Sequence, residues 1–188
     1  MRKKYYSWED VEIMCTDIVT QMYNSHWRPD IVVGLTRGGN IPATIISNML
    51  DVRCESIKVK LRDNKPGEEN EINCDLARRA FGYVPEEQRE TYKSRWDIAL
   101  RWKILIVDDI NDSGATFNYL SHQWQQCCYP EEPGWDVVWK NNAKFAVLTE
   151  NLSSNFHNVS YYCDEVNKAE EDVWLVYPWE NVGRYGNV

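Results

Sequence analysis

The stretch Ile104-Leu-Ile-Val-Asp-Asp-Ile-Asn-Asp-Ser-Gly-Ala-Thr116 decides how the rest of the chain is read. Its four consecutive apolar residues, Ile104 to Val107, have the pattern of a strand buried on both faces, as in the middle of a parallel sheet. Two adjacent carboxylates, Asp108 and Asp109, follow directly. The chain then turns through Asp112, Ser113 and Gly114 into a helix expected from about Thr116 to Cys127. In open α/β sheets ligands sit beyond the carboxyl ends of the strands. Successive N–H groups of this turn, the hydroxyls of Ser113 and Thr116 and the positive end of the helix make a socket for a phosphate monoester over Ser113, Gly114, Ala115 and Thr116. Three carboxylates beside such a socket would repel a naked phosphate. They suit a ligand that also offers sugar hydroxyls and carries a divalent metal. A plain helix cap accounts for Asp, Asn, Ser and Gly in a turn, but it does not require the apolar run, the acid pair and the small-residue socket together.

Working outward, Val11, Met14, Cys15, Ile18, Val19 and Met22 recur at helical spacing, and Ser7 with Asp10 resembles a capping box at the start of that helix. Ile31-Val32-Val33 reads as a short buried strand ended by Gly34. A second helix follows the Arg37-Gly38-Gly39 turn, with Pro42 in its first turn. Ile57, Val59 and Leu61 alternate with polar residues as in a half-exposed strand. Three more strands are expected at Phe145–Leu148, Val159–Cys163 and Val173–Tyr177. Strands alternating with helices predict an α/β fold, a mostly parallel sheet flanked by helices. Residues 62–102 are polar, hold Pro66, Gly67, Gly82 and Pro85, and show no strong period, so they read as a disordered insertion or a functional loop.

The 188 residues suit one domain, 1–188. With 21 Lys and Arg against 29 Asp and Glu, the net charge is −8. That disfavours nucleic acid and anionic membrane surfaces as partners. No apolar stretch reaches transmembrane length, and the basic start Met1–Lys4 runs into Tyr5-Tyr6-Ser7-Trp8 rather than an apolar signal core, so a soluble, cytoplasmic chain is expected. The six cysteines, Cys15, Cys54, Cys74, Cys127, Cys128 and Cys163, form no C-x-x-C pair and are read as free thiols. A zinc site built from Cys127 or Cys128 with His122 would lack a fourth ligand.

The segment Val107-Asp-Asp-Ile-Asn-Asp-Ser-Gly-Ala-Thr116 closely resembles the signature of type I phosphoribosyltransferases, in which a D-[ST]-G-x-T loop holds the 5′-phosphate of phosphoribosyl pyrophosphate. Ile31-Val-Val-Gly-Leu-Thr-Arg-Gly-Gly39 is similar to the family's first strand and pyrophosphate loop, and Trp174-Leu-Val-Tyr-Pro-Trp-Glu180 to the base-binding segment of its xanthine–guanine branch. Gln88-Arg89-Glu90 resembles a triplet of that branch's mobile loop. The resemblance implies a transferase of the 5-phosphoribosyl group to a nucleobase, a purine by that branch, with release of pyrophosphate. It implies Mg²⁺ as cofactor, a homodimer or homotetramer, a mobile loop within 62–102, and a small hood over 150–188. It assigns Asp112 to proton exchange with the base, and Asp108 and Asp109 to ribose and metal. Pyrophosphate falls to Thr36, Arg37, Gly38, Gly39 and Arg89, the base to Trp174, Leu175 and Asn151, and a further metal contact to Glu180.

One position departs from the family. Its 6-oxopurine enzymes carry a lysine just after the strand following the phosphate-loop helix, where it donates to the exocyclic oxygen of the base. Here that place falls at or next to Asn151, beside Glu150, while Lys140 and Lys144 lie at the far end of the strand. An uncharged Asn151 leaves an aminopurine, a pyrimidine or another base open. It also leaves a second function open, a sensor of phosphoribosyl pyrophosphate without transfer chemistry. Retention of Asp108, Asp109, Asp112, Arg37 and Arg89 favours the enzyme.

Overall fold

The computed structural model describes residues 2–61, 70–82, 90, 101–127 and 135–180. Five parallel strands form the central sheet: β2 (Ile31–Thr36), β3 (Arg53–Lys58), β4 (Ile104–Asn111), β5 (Ala143–Asn151) and β6 (Val159–Val166), in the order β3-β2-β4-β5-β6. Two more, β1 (Arg2–Tyr5) and β7 (Val173–Val176), pair with each other in parallel as a separate ribbon. The helices are α1 (Trp8–Asn24), α2 (Asn40–Leu50), α3 (Cys74–Phe81), α4 (Ala115–Gln126) and α5 (Trp135–Asn142).

The apolar run that opened the reading is the sheet's central strand. Ile104 and Ile106 of β4 point into one core, with Phe117, Leu120 and Trp124 of α4 and Leu76 and Phe81 of α3. Leu105 and Val107 point into the other, with the apolar faces of α1 and α2 and with Val173 and Leu175 of β7. Burial on both faces is therefore literal. α1 begins with the expected capping box: Ser7 Oγ accepts from Asp10 N at 3.1 Å and Asp10 Oδ2 accepts from Ser7 N at 2.7 Å. The six residues picked out by spacing are its buried ones.

Several boundaries differ from expectation, and β1, α3 and α5 were not expected. β2 does not end at Gly34, which pairs with Ser56 and Val107 inside the sheet. A Cβ at residue 34 would lie 2.7 Å from Asn40 Oδ1 and 2.9 Å from Ala43 Cβ, so this glycine lets α2 press against the strand. β5 and β6 each run past their apolar residues into polar ones, because ladder pairing continues to Asn151 and Val166. β1 has no apolar pattern, and its pairing with β7 is what makes it a strand. The segment 62–102 is not one continuous loop. α3 lies inside it, started by Asn73, whose side chain accepts from Leu76 N, and ended by Gly82 in the left-handed conformation.

The reading of all six cysteines as free thiols is also corrected. Cys74 at the start of α3 and Cys127 at the end of α4 are joined in a disulfide, with Cα atoms 5.4 Å apart. Packing the two helices side by side brings together residues 53 apart in sequence. Cys15, Cys54 and Cys163 are free. Among the described residues no helix is long and apolar enough to cross a membrane.

Candidate active site

From β2 the chain passes through α2 to β3 on one side, and β4 returns on the other side of β2, so the carboxyl ends of β2 and β4 flank the point where strand order reverses. A crevice opens at such a point. The turn after β2 and the turn after β4 meet there. A Cβ on Gly38 would lie 1.9 Å from Asp109 Oδ2, and one on Gly39 2.3 Å from the Val107 carbonyl oxygen. Any larger residue would push the Thr36–Gly39 turn off the acid pair.

Asp108 Oδ1 accepts from Asp109 N at 2.9 Å. Burial pushes the Asp108 carboxyl well above the usual carboxylate range, and the neighbouring Asp109 adds to the effect, against opposing hydrogen bonds from Asp109 N and Gly39 N. Asp109 is pushed up to about 6, again chiefly by burial, with Glu180 contributing its charge. Glu180 thus comes from beyond β7 to the side of the acid pair, while its Oε1 accepts from Tyr177 N at 3.2 Å.

Beyond β4, a cleft of about 290 Å³ is lined by residues 108–117 on one side and by Val59, Lys60 and Leu61 on the other. Asp108, Asp109, Asp112 and the socket residues Ser113, Gly114, Ala115 and Thr116 all border it. Gly114 has φ 81°, the left-handed region, and a Cβ there would sit 2.5 Å from Phe156 N. α4 starts directly after it, so its free N–H groups face the turn. Lys60, which sequence reasoning treated only as a polar strand residue, is a lysine in the wall of this cleft.

Asn151 stands at the end of β5, where its side chain is fully engaged within the protein. Its Nδ2 donates to the Asp112 carbonyl at 2.7 Å; its Oδ1 accepts from Ser153 Oγ at 2.8 Å and from Lys168 N at 3.0 Å. Glu150 turns toward Asn111, whose Nδ2 donates to its Oε1 at 2.8 Å, and burial pushes the Glu150 carboxyl up to about 7. Lys168 was missed at the sequence level. Its Nζ lies 2.9 Å from Asp112 Oδ1, with 23% of its side chain exposed. The signal was the parallel pairing of β5 with β6, in which Asn151 faces Val166 and so places residues 167–168 at the same end. Lys144, as expected, is elsewhere, 3.1 Å from the Tyr161 hydroxyl.

On β7, Trp174 is 49% exposed and Leu175 only 6%, its side chain in the core. Burial leaves only the main chain of Leu175 open to a ligand on this side. Tyr177 ties this ribbon to the acid pair: its hydroxyl donates to the Asp109 carbonyl at 3.0 Å and lies 2.9 Å from the Thr149 hydroxyl. Its ring is stacked between Tyr6 and Trp179. Arg89 lies outside the described residues.

A parallel sheet whose reversal crevice holds an anion turn beside an acid pair defines a protein built to take a phosphorylated ligand. Residues 1–176 match the phosphoribosyl transferase domain, and the chain belongs to that family. Hypoxanthine-guanine phosphoribosyltransferase of Schizosaccharomyces pombe is 27% identical to it over 94% of this chain and 88% of its own. Xanthine-guanine phosphoribosyltransferase of Cereibacter sphaeroides is 29% identical over 86% of this chain and 74% of its own. The crystal structure of a purine phosphoribosyltransferase from Pyrococcus horikoshii shares the fold, with a TM-score of 0.61 at 22% identity, covering 95% of this chain and 94% of that one.

Proposed function

We propose that this chain transfers the 5-phosphoribosyl group of phosphoribosyl pyrophosphate to a purine base and releases pyrophosphate. The observation that carries the reading is the meeting of three parts in one crevice: the Thr36–Gly39 turn, the Asp108–Asp109 pair and the Ser113–Thr116 turn.

The residues fit Mg²⁺. Asp108 and Asp109 are hard oxygen donors held side by side, and among the described residues neither is ion-paired to a basic group. Mg²⁺ takes one or two carboxylates and completes its shell with substrate oxygens and water. Asp109, Asp108 and, from the hood, Glu180 are the candidates to hold it. When bound it would neutralise charge on the departing pyrophosphate. The rest falls to the protein. The α4 N–H groups with Ser113 and Thr116 bind the 5′-phosphate. Arg37 and the N–H groups of Gly38 and Gly39 hold pyrophosphate, joined by Lys60 across the cleft and by Arg89. Asp112 exchanges the proton of the incoming base, and Trp174 offers a flat apolar face for it. Cytoplasmic salvage and a homodimer or homotetramer complete the proposal.

Pyrophosphate release from phosphoribosyl pyrophosphate, with Mg²⁺ and a panel of bases, tests it. Asp112→Asn is expected to lose at least tenfold in kcat while keeping its affinity for phosphoribosyl pyrophosphate. Binding without turnover on any purine or pyrimidine would overturn the enzyme reading in favour of a sensor.

A further inference from the structure

We infer that Tyr177 is a positioning residue for phosphoribosyl pyrophosphate: its hydroxyl holds the Asp109 peptide, and through it the carboxylate that faces the pyrophosphate turn. The inference rests on the transferase reading above and adds to it a residue that touches neither substrate nor metal. Pairing of β4 with β2 stops at Val107, two residues before Asp109. Beyond that point Tyr177, directly after β7, takes hold of the strand by donating to the Asp109 carbonyl at 3.0 Å. The ring that carries this hydroxyl has little freedom. It is 1% exposed and stacked on Tyr6 and on Trp179, each with 4.9 Å between ring centres.

Counting protons fixes the direction of that hydrogen bond. Five oxygen groups lie in a row: the Asp109 carbonyl, the hydroxyls of Tyr177, Thr149 and Tyr6, and the Asp164 carboxylate, which is ion-paired to Lys4. Both ends only accept, so three hydroxyl protons serve four contacts. The charged Asp164 takes the Tyr6 proton in the strongest of the four. Of the rest, Tyr6 to Thr149 is the longest at 3.2 Å, against 2.9 Å from Thr149 to Tyr177 and 3.0 Å from Tyr177 to Asp109. The long contact goes without a proton. Thr149 therefore donates to Tyr177, and the Tyr177 proton is left for the Asp109 carbonyl, in a bond strengthened by the one that Tyr177 receives. Thr149 and Tyr177 are both fully buried, so bulk water does not replace a donor lost from this row. The peptide so held carries the carboxylate whose Oδ2 would lie 1.9 Å from a Cβ on Gly38. Letting that peptide shift moves the acid against the Thr36–Gly39 turn, where pyrophosphate and its metal are to be held.

The test is calorimetric titration of the full chain with phosphoribosyl pyrophosphate and Mg²⁺, alongside steady-state KM and kcat and thermal melts, for the parent, Tyr177→Phe and Thr149→Val. Each variant removes one buried hydroxyl from the row and keeps its packing, so both should melt below the parent. Only Tyr177→Phe removes the donor to Asp109; in Thr149→Val the Tyr177 proton still has the Asp109 carbonyl as its acceptor. Tyr177→Phe is expected to weaken phosphoribosyl pyrophosphate at least fivefold and to raise its KM to match, with kcat within about twofold of the parent. Thr149→Val should keep the parent's affinity within about twofold. Unchanged affinity in Tyr177→Phe, or an equal loss in both variants, overturns the inference while the transferase reading stands. Failure of the parent to bind phosphoribosyl pyrophosphate would instead overturn the transferase reading itself, and this inference with it.

Discussion

Gly114 shows how much one residue carries. Its φ of 81° costs any L-residue about 1–2 kcal/mol, and a Cβ would also meet Phe156 N at 2.5 Å. Gly114→Ala should therefore lower stability by more than about 1 kcal/mol in a urea melt, and weaken phosphoribosyl pyrophosphate binding at least tenfold as the turn shifts. Thr116→Val keeps the shape and removes a hydroxyl, so it should weaken binding without affecting the melt. Unchanged calorimetric affinity in both variants would show that the phosphate binds elsewhere. At this scale the sequence was explicit where a residue acts from its place in a local motif, Gly114 through its backbone and Asp112 through its carboxylate. It was silent where a residue acts through contacts across strands. Asn151 is one amide among many until its bonds to Asp112 and Lys168 are seen, and nothing local marks Tyr177 as the residue that reaches the Asp109 carbonyl.

Among the elements, those with a full apolar period were readable: α1 with its cap, α2 with Pro42 in its first turn, and β4. The unread ones owe their existence to neighbours. α3 has Leu76, Ala77, Ala80 and Phe81 on one face, but eight residues amid polar chain are too short to stand out, and an isolated helix of that length is unstable. Its stability comes from the core beneath it and from its links to α4: Trp124 Nε1 donates to the Ile72 carbonyl at 2.6 Å, and Cys74 is bonded to Cys127. Closing a loop between residues 53 apart should contribute about 2–4 kcal/mol. Denaturant melts with and without reductant measure this, and Cys127→Ser should remove the difference. A reductant-independent melt in the parent would mean that the disulfide adds no stability.

The whole molecule stores negative charge where water is scarce, and this gives its stability a characteristic pH profile. Asp108, Asp109 and Glu150 have carboxyls raised mainly by burial, Asp109 to about 6 and Glu150 to about 7. Between about pH 4 and these values the folded protein holds protons that the unfolded chain has released. Stability of the ligand-free, metal-free protein should therefore fall as pH rises from about 5 to 7.5. Asp109→Asn should flatten that slope, as read from melting temperatures across the range; a parent that grows steadily more stable over the same interval would contradict it. The net charge of −8 gave no hint of this, since what counts is which acids are enclosed. The ribbon of β1 and β7 sets another property of the whole. Its two halves, joined by Arg2 to Glu171 and by the ladder beside them, come from positions 169 apart, and the Trp174 and Tyr177 side chains ride on the later half. Among the described strands β1 is made first and its partner β7 last, so β1 has no ladder partner until the other five have been made. The wall of the pocket proposed for the base therefore depends on a pairing between the first and the last of the described strands, whereas the phosphate turn lies within one continuous segment, β4 to α4.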